Sequence, residues 1–285
     1  MTAQPAIPKR TVRTRRIGFA YPSGSLRRHY VQGDLVMSHI VAVLSGLFPE
    51  GEDFFIRAVR RYADQVTDPE LKAQVGGFIG QEITHGREHR ALNDRLHEMG
   101  YPTRLVDRFT HYLMIRSDRL FPHRFQLAVT AALEHYTATI AECLLSSEKA
   151  RQLLGENEVR SVLLWHALEE SEHKTVAFDV YRSTGGTERL RINTMRLVNT
   201  LFVPIVLGLT TISLARDPAA YNPVRLIRSL AALRHSPFLS REMLDHVRAY
   251  NRRGFHPDDF DATELLERWK NELFGTNGTL TDHLK

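Results

Sequence analysis

Glu82-Ile-Thr-His85 and Glu170-Ser-Glu-His173 share the pattern E-x-x-H. On an α-helix this spacing puts a carboxylate and an imidazole on one face, about 5–6 Å apart at Cβ, where both can bind one metal ion. With 19 Glu and 14 His in 285 residues, roughly one such pair arises by chance at helical spacing, so the pairs alone decide little. Their order along the chain carries more. Glu52 precedes Glu82 by 30 residues and Glu134 precedes Glu170 by 36, so the chain reads E, E-x-x-H, E, E-x-x-H. One Glu from each of two helices and a Glu-x-x-His from each of two others is the donor arrangement of a dinuclear carboxylate site inside a helical bundle. At about 100° per residue, His89 and Asn93 fall on the face of Glu82 and His85, and His166 falls on the face of Glu170 and His173. Burying so many titratable groups without partners costs several kcal/mol each, and two divalent cations would supply the missing positive charge.

Helices must carry these residues. From Asp34 onward, apolar residues recur at i, i+3, i+4 and i+7 with few alternating runs, which predicts an all-α chain. The pattern predicts helices over 35–48, stopped by Pro49 and Gly51, and 52–66, then a long one over 70–99 ending at Gly100, with Gly76 and Gly77 softening it. Further long helices are expected over 124–154 and 156–183, and the long helices with short breaks predict an antiparallel bundle over 34–190. Residues 191–285 form a helical extension. Within it, 197–215 is a 19-residue run without a charge, 12 of its residues apolar, flanked by Arg196 and Arg216. Its length approaches the roughly 20 residues of a membrane span, but Asn199, Pro204, Gly208 and several Thr dilute it, so a buried or capping helix, an interfacial helix and a span are all compatible. The basic stretch 223–235 suits a headgroup surface or a solvated face, and 262–274 is a last helix.

Composition bounds the class. The chain is 42% apolar and 25% charged, which excludes disorder and fibrous architectures. Residues 1–33 hold seven Lys or Arg and no acid, so the net charge of +5 belongs to this segment and the rest is slightly acidic. It reads as a flexible basic arm, either a solvated extension or one able to touch anionic lipid, nucleic acid or an acidic protein. No basic stripe interleaved with aromatics follows it, so no specific nucleic-acid binding is expected. The lone Cys143 and the absence of an apolar leader at the start of the chain predict a reducing, cytoplasmic setting, at the inner face of the membrane if 197–215 touches lipid.

At the E-x-x-H residues the sequence resembles the ferritin-like di-iron oxidases and oxygenases, and His166, one turn before the second motif, is similar to the extra ligand of the three-histidine amine N-oxygenase variant. The segments Leu44-Ser-Gly-Leu-Phe-Pro-Glu-Gly-Glu52, Phe78-Ile-Gly-Gln-Glu-Ile-Thr-His85 and Trp165 to Tyr181 resemble, more closely, a bacterial family of predicted metal-dependent hydrolases, over roughly residues 30–275. The resemblance implies a ferritin-like four-helix bundle and a ligand set of Glu52, Glu82, His85, Glu134, His166, Glu170 and His173. In it Glu82 and Glu170 bridge two ions, Glu52 and Glu134 are terminal, and His89 is a supporting residue or an alternative ligand. Glu50 and Asp53, beside Glu52, leave the first carboxylate the least determined position. His135 is turned about 100° from Glu134 and is expected as a neighbour, and Glu88, Glu169 and Glu172, off the ligand face, as solvent-exposed flanks or as acceptors for an Arg or Lys.

Carboxylates and imidazoles without thiolate suit two iron ions, with manganese or zinc as alternatives. The expected reaction is di-iron O2 activation acting on an apolar, lipid-like or amine-containing small molecule, with electrons from a separate donor protein because the chain carries no G-x-G-x-x-G. Dinuclear hydrolysis of an ester or phosphoester is the alternative, and a non-catalytic metal-binding bundle the third. A homodimer is compatible with all three.

Overall fold

The computed structural model describes residues 11–285 and contains only helices and connecting turns among them, apart from one isolated bridge between Ile17 and Leu284. The helices are α1 (Leu35–Arg60), α2 (Pro69–Glu98), α3 (Thr103–Leu120), α4 (His123–Ser146), α5 (Glu148–Leu154), α6 (Glu158–His173), α7 (Val176–Ser183), α8 (Glu188–Leu214), α9 (Pro223–Leu233), α10 (Arg241–Ala249) and α11 (Thr263–Phe274). The all-α class expected from periodicity is the observed one. α1 packs on α2, α2 on α6, α6 on α4 and α4 back on α1, which closes a four-helix bundle around the predicted ligands. α3 lies against α1, α8 against α1 and α4, and α11 against α6.

Local chemistry explains most helix ends. Asp34 and Asp68 accept from the backbone N–H of Met37 and Leu71, fixing the starts of α1 and α2, and Asn157 caps α6. Gly100 and Gly155, both at positive φ, follow α2 and α5.

Several expectations from the sequence are corrected. α1 runs through Pro49 instead of stopping there. Proline cannot donate to the carbonyl of Ser45, one turn back, but the Asn93 side chain on α2 donates to that oxygen at 2.9 Å and replaces the lost bond. The segment 124–154 divides into α4 and α5 at Ser147, and 156–183 divides into α6 and α7 at Lys174-Thr175. There the buried Lys174 ammonium donates to Glu142 and to the Phe260 carbonyl, both at 2.6 Å.

The basic N-terminal segment is packed rather than flexible over its described part, residues 11–33; the remainder of that expectation, 1–10, lies outside the described residues. Ile17 and Val31 are fully buried in one core with Leu92 and Trp165. Gly76 and Gly77 do not soften α2, which runs unbroken from Pro69 to Glu98. A side chain at Gly77 would collide with the carbonyl of Val12, and one at Gly80 with the Thr14 hydroxyl, so Gly77 and Gly80 let the segment lie directly on the helix. The same core includes Leu266 and Trp269 of α11, so N-terminal segment, bundle and C-terminal helices share apolar packing.

The apolar stretch of α8 is not a buried helix: it covers α1 and α4 with one face and leaves the other open. Its most apolar window has a mean hydropathy of 1.9, yet only 22% of that window is buried. Met195, Val198 and Leu209 face the protein while Leu197, Leu201, Leu207 and Ile212 face outward.

Candidate metal centre

Seven side chains predicted as ligands converge in the bundle, all of them buried: Glu52 from α1, Glu82 and His85 from α2, Glu134 from α4, and His166, Glu170 and His173 from α6. They form two groups whose donor atoms lie within 4.8 Å of one another, Glu52 with His85 and His166, and Glu82 with Glu170 and His173. Glu134 joins the second, its Oε2 3.3 Å from His173 Nε2. Two carboxylates stand between the groups. Glu170 Oε1 is 3.0 Å from His166 Nε2, 3.6 Å from His85 Nδ1 and 3.5 Å from His173 Nε2. Glu82 Oε1 is 3.1 Å from His173 Nε2 and 3.7 Å from His85 Nδ1. Glu50 and Asp53 point away, toward His111 and Arg90, which leaves Glu52 as the inward carboxylate of α1.

Hydrogen bonds behind the histidines aim their lone pairs inward. His85 Nε2 faces Glu169 at 3.1 Å, so its N–H lies outward and Nδ1 faces the carboxylates. Gln81 donates its amide to Glu172 and to the Arg13 carbonyl, which leaves its Oε1 to accept from His173 Nδ1 at 2.9 Å, and Nε2 faces inward. His166 is set by a longer relay. Asn93 spends its NH2 on the Ser45 carbonyl freed by Pro49, so its Oδ1 accepts the Ser45 hydroxyl at 2.8 Å. Ser45 Oγ therefore accepts from His89 Nδ1 at 2.9 Å, and His89 Nε2 accepts from His166 Nδ1 at 2.7 Å. His166 Nε2 is left without a proton, facing Glu170 and Glu52. His89 thus stands behind His166 as a supporting residue.

The donor set fits a pair of cations. Both oxygens of Glu52, Glu82 and Glu134, one of Glu170, Nδ1 of His85 and Nε2 of His173 are buried without a hydrogen bond. Among the described residues, no Lys or Arg forms an ion pair with any of these four carboxylates. Protons substitute for the missing charge. Burial and the neighbouring Glu82 push the Glu52 carboxyl well up, and burial with Glu170 pushes Glu134 up to about 8. Burial opposes charge on His85, but Glu169 and Glu82 outweigh it and raise the imidazole to about 10. His173 is raised in the same way by Glu170 and Glu134. Burial, then His85, lowers His166 and keeps it neutral. Cations bound there would have to displace protons from this cluster, so loading at neutral pH is expected to release protons and to tighten as pH rises. Titration calorimetry of the metal-free protein in buffers of different ionisation enthalpy reads this directly; a pH-independent affinity with no proton release would contradict it.

Three flanking residues differ from expectation. Glu169 and Glu172 are buried, because Arg15 donates to Glu169 at 2.9 Å and to both oxygens of Glu172 at 2.8 Å. Glu88 is buried too, accepting the Phe19 N–H at 2.9 Å and pairing with Arg87. His135 is a neighbour outside the cluster, bonded to the His246 carbonyl at 3.0 Å.

Sequence reasoning missed Arg15, Gln81 and Ser45, and it missed a third buried group, His29, His39 and Asp217. Both imidazoles reach Asp217 Oδ2, at 3.0 and 3.1 Å. Arg225 donates to His29 Nδ1 at 2.7 Å, so His29 Nε2 carries its proton toward Asp217 and offers no lone pair there. Arg28 pairs with the same carboxylate. Although burial pushes Asp217 upward, the Ala219 N–H and both histidines hold it below the ordinary carboxylate range. The group is a polar pin joining the N-terminal segment and α1 to the turn after α8.

A family model described as predicted metal-dependent hydrolase matches residues 13–261. No curated protein matches the chain, and no solved structure does.

Proposed function

Because the chain belongs to the predicted metal-dependent hydrolase family, we propose that Glu52, Glu82, His85, Glu134, His166, Glu170 and His173 bind two divalent metal ions, and that the centre hydrolyses an ester or phosphoester. The observation that carries this reading is the set of buried, hydrogen-bond-free carboxylate oxygens facing inward imidazole lone pairs. When bound, the ions supply Lewis acidity and a water acidified toward neutral pH.

The chain's own residues do the rest. Glu82 and Glu170, which stand between the two groups, would help hold both ions, and Glu52 and Glu134 would each help hold one. Arg15 holds Glu169 and Glu172, and these in turn hold His85 directly and His173 through Gln81, so the imidazoles meet their ions in one orientation. The relay from His166 through His89 to Ser45 fixes the third imidazole in the same way. The Phe48 ring packs 4.7 Å from His89 and 4.9 Å from His166 and screens that side of the centre from water.

A second reading is favoured by the donor chemistry. Every ligand is Glu or His, none is Asp or Cys, and this set equally suits two iron ions activating O2 with electrons from a separate protein.

One experiment separates the two. Protein loaded with zinc, manganese or iron is assayed for acyl-ester and phosphoester hydrolysis, and the reduced iron form for O2 uptake. Ester turnover that disappears on chelation and returns with zinc or manganese is the expected result. Stoichiometric O2 uptake by the iron form without ester turnover would replace hydrolysis by oxidation. Failure to retain any of the three metals would overturn both.

A further inference from the structure

Beside the metal centre, between α1, α4 and α8, lies a cavity of about 360 Å³ with almost wholly hydrocarbon walls. That volume is in the range of small-molecule sites. Its α1 wall includes Ser45 and Phe48, the residues that contact His89 and His166. Phe48 is therefore the partition between cavity and centre. The opposite rim includes Val203 and Leu207 of α8, Leu239, and Leu244 of α10, exposed by 47, 57, 57 and 43%. A cavity closed inside by a ring and bordered outside by solvent-exposed aliphatic side chains is built to admit a chain without polar groups.

The rim continues into a larger uncovered surface. Leu197, Leu201 and Ile212 extend the outward stripe of α8, which carries no formal charge from Leu197 to Ala215, and α9 exposes Val224, Ile227 and Leu230. Arginines border it. Arg196 and Arg216 bracket the stripe, and Arg225 and Arg228 are exposed on α9. A second copy of the chain would bring the same arginines to this surface and close the rim. Anionic lipid headgroups complement them, and acyl chains meet the aliphatic stripe.

We propose that the face formed by α8 and α9 rests on an anionic bilayer and that the cavity takes an acyl chain from it, bringing a membrane lipid against Phe48. The docking and the chain site stand on the apolar and basic surfaces alone; that the lipid is the substrate rests on the metal-centre reading.

The test uses full-length, metal-free protein, so that failure of the hydrolase reading does not enter it. Flotation with phosphatidylcholine vesicles containing phosphatidylglycerol is compared with phosphatidylcholine alone, and the fluorescent fatty acid cis-parinaric acid reports the cavity. The wild type is expected to float with the anionic vesicles and to bind the probe. The double variant Leu201→Glu/Ile227→Glu, both residues outside the cavity wall, should lose flotation by about tenfold or more and keep the probe. Ile140→Trp, which fills the cavity from α4, should float as the wild type does and lose the probe. Circular dichroism confirms that each variant is helical. Absence of wild-type flotation, or a homodimer that Leu201→Glu/Ile227→Glu turns into a monomer, would overturn the membrane assignment. Unchanged probe binding by Ile140→Trp would overturn the chain site.

Discussion

Glu170→Ala is expected to remove both metal ions rather than one. Its Oε1 lies within 3.6 Å of a ring nitrogen of each of His85, His166 and His173, so the carboxylate stands between both halves of the cluster. Without it, neither half keeps the charge and donor number that a divalent ion needs. Metal analysis after desalting should fall from about two ions per chain to near zero, while Glu172→Gln, whose residue touches Arg15 and Gln81 and no ligand carboxylate, should retain them. Retention of one tightly held ion by Glu170→Ala would show two independent sites. Glu52 gives the complementary sign. Both its oxygens are buried without a hydrogen bond, so Glu52→Leu should raise the melting temperature of metal-free protein and abolish the further rise that metal gives the wild type.

Arg15→Met is expected to be the most destabilising single change outside the cluster. The Arg15 guanidinium neutralises two carboxylates at once, those of Glu169 and Glu172, whose side chains are 0% and 3% exposed. Removing one member of a buried ion network costs about 3–5 kcal/mol, because the two buried carboxylates lose their shared guanidinium and keep only His85 on Glu169, and Gln81 with Lys270 at 3.8 Å on Glu172. For a chain of this size that corresponds to a fall of roughly 5–8 °C in melting temperature. Metal affinity should drop as well, by about tenfold or more, because Glu169 fixes His85 and Glu172 fixes Gln81 and through it His173. Arg15→Met/Glu172→Gln should regain part of the stability, since one uncompensated charge is gone, and leave the affinity low. Thermal denaturation of metal-free protein and competitive metal titration read the two effects separately. Equal stability of Arg15→Met and wild type would mean that Glu169 and Glu172 find another partner or water.

The two effects mark the boundary between local and distant information. Glu82, His85, His89 and Asn93 share a face because helical periodicity places residues three and four apart together, and that is readable from one segment. The choice of Glu and His at these positions carries the metal chemistry in the side chains themselves. So the all-α class, the four helices that meet at the centre and the residues that converge there are all legible in the chain.

What the sequence could not decide depends on partners far away in the chain. Glu169 and Glu172 read as surface residues until Arg15, more than 150 residues earlier, is seen between them; the same arginine reads as part of a flexible arm until Gly77 and Gly80 are seen to admit that segment. Pro49 reads as a helix stop because its missing N–H is a local fact, whereas the Asn93 amide that makes good the loss comes from another helix. His29, His39 and Asp217 show no pattern in sequence, because they are drawn from three separate elements. Hydropathy identifies α8 as long and apolar, but only packing against α1 and α4 decides which stripe is covered and which faces outward. The sequence by itself determined the helices and the chemical character of their inward faces, since both follow from spacing and residue type; the tertiary structure alone decided which buried charges are neutralised and which apolar face is left open, since both depend on groups that meet only when the chain is folded.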